Sequence, residues 1–429
     1  MGIIDNLPIF RQSSKWVQME PERSGETKKA EISKSSAKAA AYRLIVLMGT
    51  VSLFGDITYE GARSITGPYM AVLGAGAAVV GVVSGLGDFL GYALRLVSGY
   101  IADRTRAYWA LTFTGYALML AIPALAFTGN WKVAALLIVL ERVGKAVRTP
   151  ARDTILSHAA KEVGRGWGFG LHEFMDQVGA VMGPVIFTTV FIFKGSYGEG
   201  FKILLIPAVL SILMLTRAAM KMPNPRDLEV SEKYKRFPGE QEMRALPRLF
   251  WFYALFTFFS VAGMAHFQLI AFHIKASRLA PDALIPILYI IDMAVAGGVA
   301  LIMGRLYDKT GLRFLLAAPL LCLPVAWLSF TGGYAMAILG VAFLGVVVGA
   351  HETVMRAAIA DLTPVPKRGF AYGVFNLIYG LAYLVGGVTM GFLYDKVSVT
   401  GLVMFSVLME IAAICAFLLT GFYRMKTHR

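Results

Sequence analysis

The chain has 429 residues, of which 57% are hydrophobic and only 16% charged, with a mean hydropathy of +0.63 and a formal net charge of +14. Soluble domains carry about 25% charged residues, so this composition excludes a soluble globular protein and places the chain in a membrane. Residues 107–131 and 314–350 contain no Asp, Glu, Lys or Arg, and a transmembrane helix needs about 20 predominantly apolar residues.

The first 40 residues have no signal-peptide core and read as a polar, Ser/Lys/Glu-rich, disordered cytoplasmic tail. Twelve apolar segments follow, centred near residues 55, 85, 117, 143, 181, 208, 260, 292, 321, 345, 382 and 410. In the second uncharged run, Thr331, Gly332 and Gly333 supply the turn between two of them. The longest hydrophilic interruption, Arg217 to Arg248, divides the segments six and six. The expected organisation is a tail over 1–40, a six-helix half over 41–218, a cytoplasmic central loop over 219–247, a second half over 248–423 and a short cytoplasmic tail over 424–429. The fold class is all-α, with twelve transmembrane helices in two pseudo-symmetric halves.

Orientation follows from Lys and Arg in the loops. With both termini cytoplasmic, the tail through Arg43 and the central loop hold eight basic residues each. The outer loops hold six: Lys132, Lys194, Lys202, Lys275, Arg278 and Lys396. The positive charge is thus mostly topology and requires no nucleic-acid partner. Cys322 and Cys415 lie in apolar stretches and read as core residues, not as a disulfide or metal pair.

Taken in chain order, several helices carry polar stripes. On the first, Asp56, Glu60 and Arg63 fall at i, i+4, i+7. The fourth is the most charged. Only eight uncharged residues, Val133 to Leu140, lie between Lys132 and Glu141. They rise about 12 Å as a helix against a bilayer core about 30 Å thick. The span therefore continues through ERVGKAVRTPARD, where Glu141, Lys145, Arg148 and Arg152 form one stripe flanked by Arg142 and Asp153, and Pro150 predicts a kink. On the fifth, His172, Asp176, Gly179 and Gly183 align; on the tenth, Glu352 and Arg356; on the eleventh, Tyr372, Asn376, Tyr379 and Tyr383.

Charges within a bilayer cost about 2.5 to 3.5 kcal/mol each on insertion scales, so these stripes are expected to face a hydrated cavity and to find partners. The pairs Glu60 with Arg63 and Glu352 with Arg356 can alternatively neutralise each other within one helix. Asp88, Arg95, Asp292 and Glu410 stand isolated and read as structurally paired or interfacial; His266 and His273 read equally as cavity or packing residues.

The two halves repeat. GYIADRTRAYW at 99–109 recurs as GRLYDKTGLRF at 304–314, an offset of 205, and RGWGFG at 165–170 recurs as RGFAYG at 368–373. GxxxDRxR and GxxxDKxGxR, each between the second and third helices of a half, resemble the inner-loop signature of the major facilitator superfamily over about residues 41–423. The first copy has Arg106 where the family usually has Gly, which should loosen the turn. The resemblance implies a cavity lined by helices 1, 4, 7 and 10 between two rocking halves. It also implies a conformational latch at Gly99, Asp103, Arg104, Gly304, Asp308 and Lys309, in which Asp103 and Asp308 meet a neighbouring helix end. Gly179, Gly183 and Pro184 resemble the helix-5 motif of exporters, although small residues at this spacing also serve close helix packing. RVGKAVRTPARD at 142–153 and FGLHEFMDQVGAVMGP at 169–184 resemble a prokaryotic permease subgroup that includes metal and organic-anion exporters.

The expected function is secondary active, proton-coupled export of a small polar or charged solute by a monomer in the cytoplasmic membrane, with protons and lipid as its other partners. It needs no cofactor and no enzymatic step. Arg142, Lys145, Arg148, Arg152, Arg356, Asn376 and Tyr379 are the expected substrate contacts, and Asp56, Glu60, Glu141, His172, Asp176 and Glu352 the proton-coupling groups. On these stripes cations slightly outnumber unpaired acids, which favours an anionic or zwitterionic solute. The alternative is a divalent metal held by Asp56, Glu60, Asp176 and His172. HEFMD at 172 and HETVM at 351 begin like the zinc-protease motif, but Asp176 and Met355 stand where its second His belongs. A membrane hydrolase is thereby disfavoured, a non-transporting sensor would show no solute flux, and no GxxxxGK[ST] offers an ATP site.

Overall fold

The computed structural model describes residues 20–224, 246–364 and 367–419, and all regular structure among them is helical. Helix α1 spans Glu20–Val72, α2 Ala77–Thr105, and α3 Tyr108–Leu118 with short turns continuing to Phe127. Helix α4 spans Trp131–Val163, α5 Arg165–Ile192, and α6 Leu205–Lys221 after a short helix at Tyr197–Ile203. In the second half α7 comes in two pieces, Arg248–Gly263 and Phe267–Ala276, followed by α8 at Ile285–Thr310 and α9 at Ala317–Thr331. Helix α10 runs from Tyr334–Ala350 through a π turn at His351–Met355 into Arg356–Leu362; α11 is Arg368–Lys396 and α12 Val399–Leu419.

Ten described stretches are long and apolar enough to cross a membrane. One of them, Asp282–Thr331, is 50 residues long and contains both α8 and α9. Helix α4 is too charged to count by hydropathy, yet its 33 residues rise about 50 Å. Counting it, and α8 and α9 separately, the described residues hold twelve long helical segments, six on each side of the central loop. That loop lies outside the described residues between 225 and 245.

Two expectations need correction. Helix α1 starts at Glu20, well inside the segment read as a disordered tail. Glu, Lys and Ala dominate there and propagate a helix already anchored by its apolar end, while Pro21 sits in the first turn where its missing N–H costs nothing. Residues 1–19 are outside the described residues. Cys322 is buried as expected, but Cys415 is exposed on the outer surface of α12.

Small residues set the helix spacing. A Cβ on Gly183 of α5 would lie 2.5 Å from Gly61 N and from Ile57 O of α1, and one on Gly179 would lie 2.5 Å from Leu53 O. Pro184 follows inside α5. Helix α4 packs mainly on α1, α2, α3 and α5, and α10 on α7, α8, α9 and α11, so each stays within its own half. The halves meet through α1, α2 and α5 against α7, α8 and α11. Neither α4 nor α10 packs substantially on the opposite half, so the space between the halves along them, here termed the central cleft, is where their exposed polar residues can meet.

The duplicated motifs both fall at one end of the bundle, here termed the motif end. Arg106, which closes α2, and Gly311, which closes α8, are 205 residues apart and both have positive φ, 59° and 64°. Arg106 keeps a left-handed turn and bonds Ala102 O at 2.8 Å; for a side-chain-bearing residue this costs about 1 kcal/mol. The expected loosening is absent, but the turns differ in kind, since Gly311 has ψ −148°, a backbone state suited to glycine.

At the far end the halves are fastened. Asp395, in the last turn of α11, accepts hydrogen bonds from Ala77 N at 3.0 Å and Ala78 N at 2.8 Å, the first amides of α2. This places a carboxylate on the positive end of a helix from the other half. Gly81 touches Gly387, and Gly391 touches Ala77, closely enough that a Cβ on any of the three glycines would overlap backbone.

Candidate functional site: a charged network in the central cleft

Helix α4 carries its charges on two faces. Glu141 and Arg148 turn toward α3, where Gly115 and Gly144 bring the two backbones together. Arg148 is 2% exposed, donates to Gly115 O at 3.3 Å and to Glu141 Oε1 at 3.4 Å, and lies over the Tyr116 ring at 4.9 Å. The structure thus encloses Arg148 away from the cleft, although the stripe set it beside Lys145 and Arg152. The physical reason is that the tight α3–α4 glycine contact captures one edge of the stripe.

The other edge reaches the cleft. Lys145 lies 3.7 Å from Glu60 Oε1 and 3.7 Å from the centre of the Tyr59 ring. Arg142 sits over the same ring at 4.6 Å and 3.6 Å from Asp88 Oδ1. Arg63 lies 3.8 Å from Asp88 and 4.0 Å from Glu60. Tyr59 is an aromatic platform beneath three cations. It is invisible in the charge pattern, although its place beside Glu60 in TYEGAR was the available signal. Asp88, read as isolated, joins Arg63 and Arg142 from α2.

Two turns toward the motif end, Ser52 holds a second cluster. Its hydroxyl lies 2.9 Å from Arg152 Nη1 and 2.9 Å from His172 Nε2. Asp176 lies 3.8 Å from Arg152 and 3.5 Å from His172 Nδ1, while Asp153 takes the other side of the guanidinium at 3.0 Å. Asp56 stands half-buried between the clusters, one turn from Ser52 and one from Glu60, opposite Gly179.

With Asp88 included, the N-terminal half balances its charges. Arg63, Arg142, Lys145, Arg148 and Arg152 each have an acidic partner, so the expected excess of cations is not present. Apart from Arg152 with Asp153, these contacts span 3.4–4.0 Å, longer than the roughly 2.7–2.9 Å of a tight charge-assisted hydrogen bond. Charges matched but not clenched can exchange partners with water, a proton or a solute.

The C-terminal half closes the network with hydroxyls and rings. Tyr289 on α8 donates to Glu60 Oε2 at 2.5 Å, across the halves. His266, in the break of α7, lies 3.9 Å from Asp88 Oδ2 and edge-on to Tyr383 at 4.9 Å. Tyr379 and Tyr383 pack against Tyr92 of α2, and Arg95 lies over Tyr92 at 5.1 Å. His273 has a different fate: its Nδ1 meets Tyr394 Oη at 2.9 Å and it is a packing residue. The π turn of α10 carries Glu352 and, at its end, Arg356, both exposed toward the cleft; the carbonyls of Met355 and Arg356 accept from Tyr253 and Tyr372 at 2.6 and 3.0 Å. Asn376 is half-buried on α11. Asp292 and Glu410 are neither interfacial nor ion-paired but deeply buried, with carboxylate oxygens outside well-formed hydrogen bonds.

The residues expected to form a latch lie in the motif-end turns of α2 and α8. Gly99 approaches Pro150 of α4 and Gly304 approaches Thr353 of α10. Arg104 donates to Tyr100 Oη at 2.7 Å. Asp103, Asp308 and Lys309 belong to the same two turns.

A sequence profile described as Major Facilitator Superfamily matches residues 47–376. The chain belongs to the major facilitator superfamily. An uncharacterised protein of Mycobacterium tuberculosis strain H37Rv is 38% identical over 393 residues, covering 91% of this chain and 96% of its own. An uncharacterised MFS-type transporter of Methanocaldococcus jannaschii is 26% identical over 357 residues, covering 82% and 88%. Among solved structures, the nucleoside transporter NupG matches with a TM-score of 0.69 at 13% identity, over 89% of this chain and 100% of that one. A bacterial homolog of the human lysosomal transporter Spinster, inward-facing and unoccupied, matches with a TM-score of 0.68 at 14% identity, over 90% and 98%. These likenesses establish the fold of a multi-pass membrane transporter of this superfamily.

Proposed function

We propose that the protein is a monomeric, proton-coupled exporter of a small polar solute bearing an anionic group, working by alternating access in the cytoplasmic membrane with both termini inside. In that orientation the motif end is cytoplasmic, and the fastened far end makes this conformation inward-facing. The observation that carries the reading is Glu60. Its carboxylate faces Lys145 and Arg63 in one half and accepts from Tyr289 in the other. A proton arriving at Glu60 removes the charge that holds Lys145, and the freed cation can then receive an anionic group; Arg152 and Arg356 are the further cationic contacts reaching the cleft.

Asp56 and Asp176 supply the proton route from the motif end, with Arg152 and His172 beside them. The metal alternative fits less well. Arg152 contacts Asp176 and shares the Ser52 hydroxyl with His172, so a guanidinium stands beside two of the four supposed ligands and repels a divalent cation. Gly179, Gly183 and Pro184 support the export direction through their likeness to the exporter motif.

The test is a thermal-shift screen of carboxylates, phosphates, zwitterions and divalent metals, followed by counterflow in proteoliposomes with an imposed pH gradient. Organic anions should stabilise the protein, and Asp56→Asn and Asp176→Asn should each abolish pH-driven transport in folded protein. Saturable stabilisation by a transition metal, lost in His172→Ala, would establish the metal reading instead.

A further inference from the structure

Helix α12 carries one acidic residue, Glu410, about midway along its 21 residues. Glu410 is 0% exposed, and neither carboxylate oxygen is held in a well-formed hydrogen bond, although Ser260 and Cys322 lie within reach. It abuts the break of α7: a Cβ on Gly263 would lie 2.5 Å from Glu410 Oε1. Gly263 is the last residue of the first piece of α7, so the carboxyl faces the carbonyl end of a half-helix, which carries partial negative charge. One turn away, Ser406 donates to Gly263 O at 2.6 Å.

The groups around it are all neutral or weakly polar. Ser260 of α7 and Cys322 of α9 are the polar side chains beside it. Ser260 Oγ lies 3.3 Å from His351 Nε2 of α10, whose Nδ1 is buried without a partner. From α11, Tyr379 brings its ring to 6.3 Å from that of His351, and Gly386 packs on the Ala262 carbonyl. None of these offers a fixed positive charge. An ionised carboxylate here would face a like-signed helix end in a site closed to water, an arrangement membrane proteins avoid unless the group is neutral or binds a cation. Sodium fits poorly, because it needs several oxygen ligands, and the polar side chains beside the carboxyl are one hydroxyl and one thiol, with the carboxyl pressed against the α7 backbone.

We infer that Glu410 is a proton-binding site of the C-terminal half, distinct from the carboxyls of α1 and α5 and loaded while the far end is closed. The carboxylic acid donates toward Ser260, whose hydroxyl donates on to His351 Nε2. Because the second piece of α7 packs on α1, separating the far ends displaces the break and gives Glu410 a route to release its proton.

Infrared spectroscopy of the protein in lipid nanodiscs at neutral pH tests this without any transport measurement, so it is independent of the proposed solute and of the α1–α5 coupling. The expected result is a protonated-carboxyl band that loses one component in Glu410→Gln and keeps that component in Asp176→Asn and Asp56→Asn. Ser260→Ala, which leaves the carboxyl in place, should shift the same component to higher frequency by removing its hydrogen bond; this arm holds even if Glu410→Gln fails to fold. An unchanged band in both Glu410→Gln and Ser260→Ala overturns the inference. So does sodium-dependent thermal stabilisation that vanishes in Glu410→Gln.

Discussion

The two halves share a scaffold and differ in how they treat charge. In the N-terminal half, Arg63, Arg142, Lys145, Arg148 and Arg152 each have an acidic partner within 4 Å, while Arg95 lies over the Tyr92 ring. In the C-terminal half, the corresponding space holds tyrosines, histidines and buried carboxyls, Asp292 and Glu410, with oxygens outside well-formed hydrogen bonds. Duplicated chains keep the helix ends, turns and glycines that build the bundle. The residues facing the other half are free to diverge, and here one half became an exchangeable ion network while the other became a hydroxyl-rich wall that carries the exposed pair Glu352 and Arg356 on α10. Glu60 with Tyr289 and Asp88 with His266 are where the two treatments touch.

Breaking the N-terminal pairing should have the largest effect. Arg148→Ala leaves Glu141 buried without its cation, and removing one partner of a buried pair costs about 3–5 kcal/mol. Thermal melting should show severe destabilisation, and Arg148→Met combined with Glu141→Gln should recover most of it; equal losses in single and double variants would mean the pair is not the cause. Crowding the scaffold comes next. Gly183→Val should cost about 1–3 kcal/mol by driving α5 off Gly61, which melting and expression yield would report.

Unfastening the far end is a smaller perturbation. Asp395→Asn removes a charge–dipole contact of about 0.3–1 kcal/mol and should raise the far-end-open population a few-fold, read by spin-label distances between α2 and α11. No change in that distribution would show that glycine contacts alone hold the halves. The smallest effect is expected for Arg106→Gly, which relieves a left-handed residue and should stabilise by at most about 1 kcal/mol, seen as a slight rise in melting temperature.

Much of the bundle was legible because spans, turns and repeats are written locally. The α4 stripe could be read by arithmetic, since eight uncharged residues cannot cross a bilayer. Its partition between α3 and the cleft could not, because that depends on Gly115 meeting Gly144 across two helices. Asp88 looked isolated for the same reason: its partners Arg63, Arg142 and His266 come from three other helices. The Asp395 contact joins residues 317 and 318 positions apart, beyond the reach of any local pattern. The α7 break and the α10 π turn contain no proline, so no local signal announced them. Both follow from tertiary partners, Ser406 on the Gly263 carbonyl and Tyr253 on the Met355 carbonyl.

The central claim is that protonation of Glu60 couples the ion network to movement of the halves. Its most direct test compares wild type with Glu60→Gln in proteoliposomes, using a solute identified by thermal shift and a pH-sensitive dye inside the vesicles. Glu60→Gln should keep solute exchange at equal pH on both sides but lose accumulation driven by a pH gradient, together with the accompanying proton flux. Gradient-driven accumulation and proton flux at wild-type levels in Glu60→Gln would contradict the account.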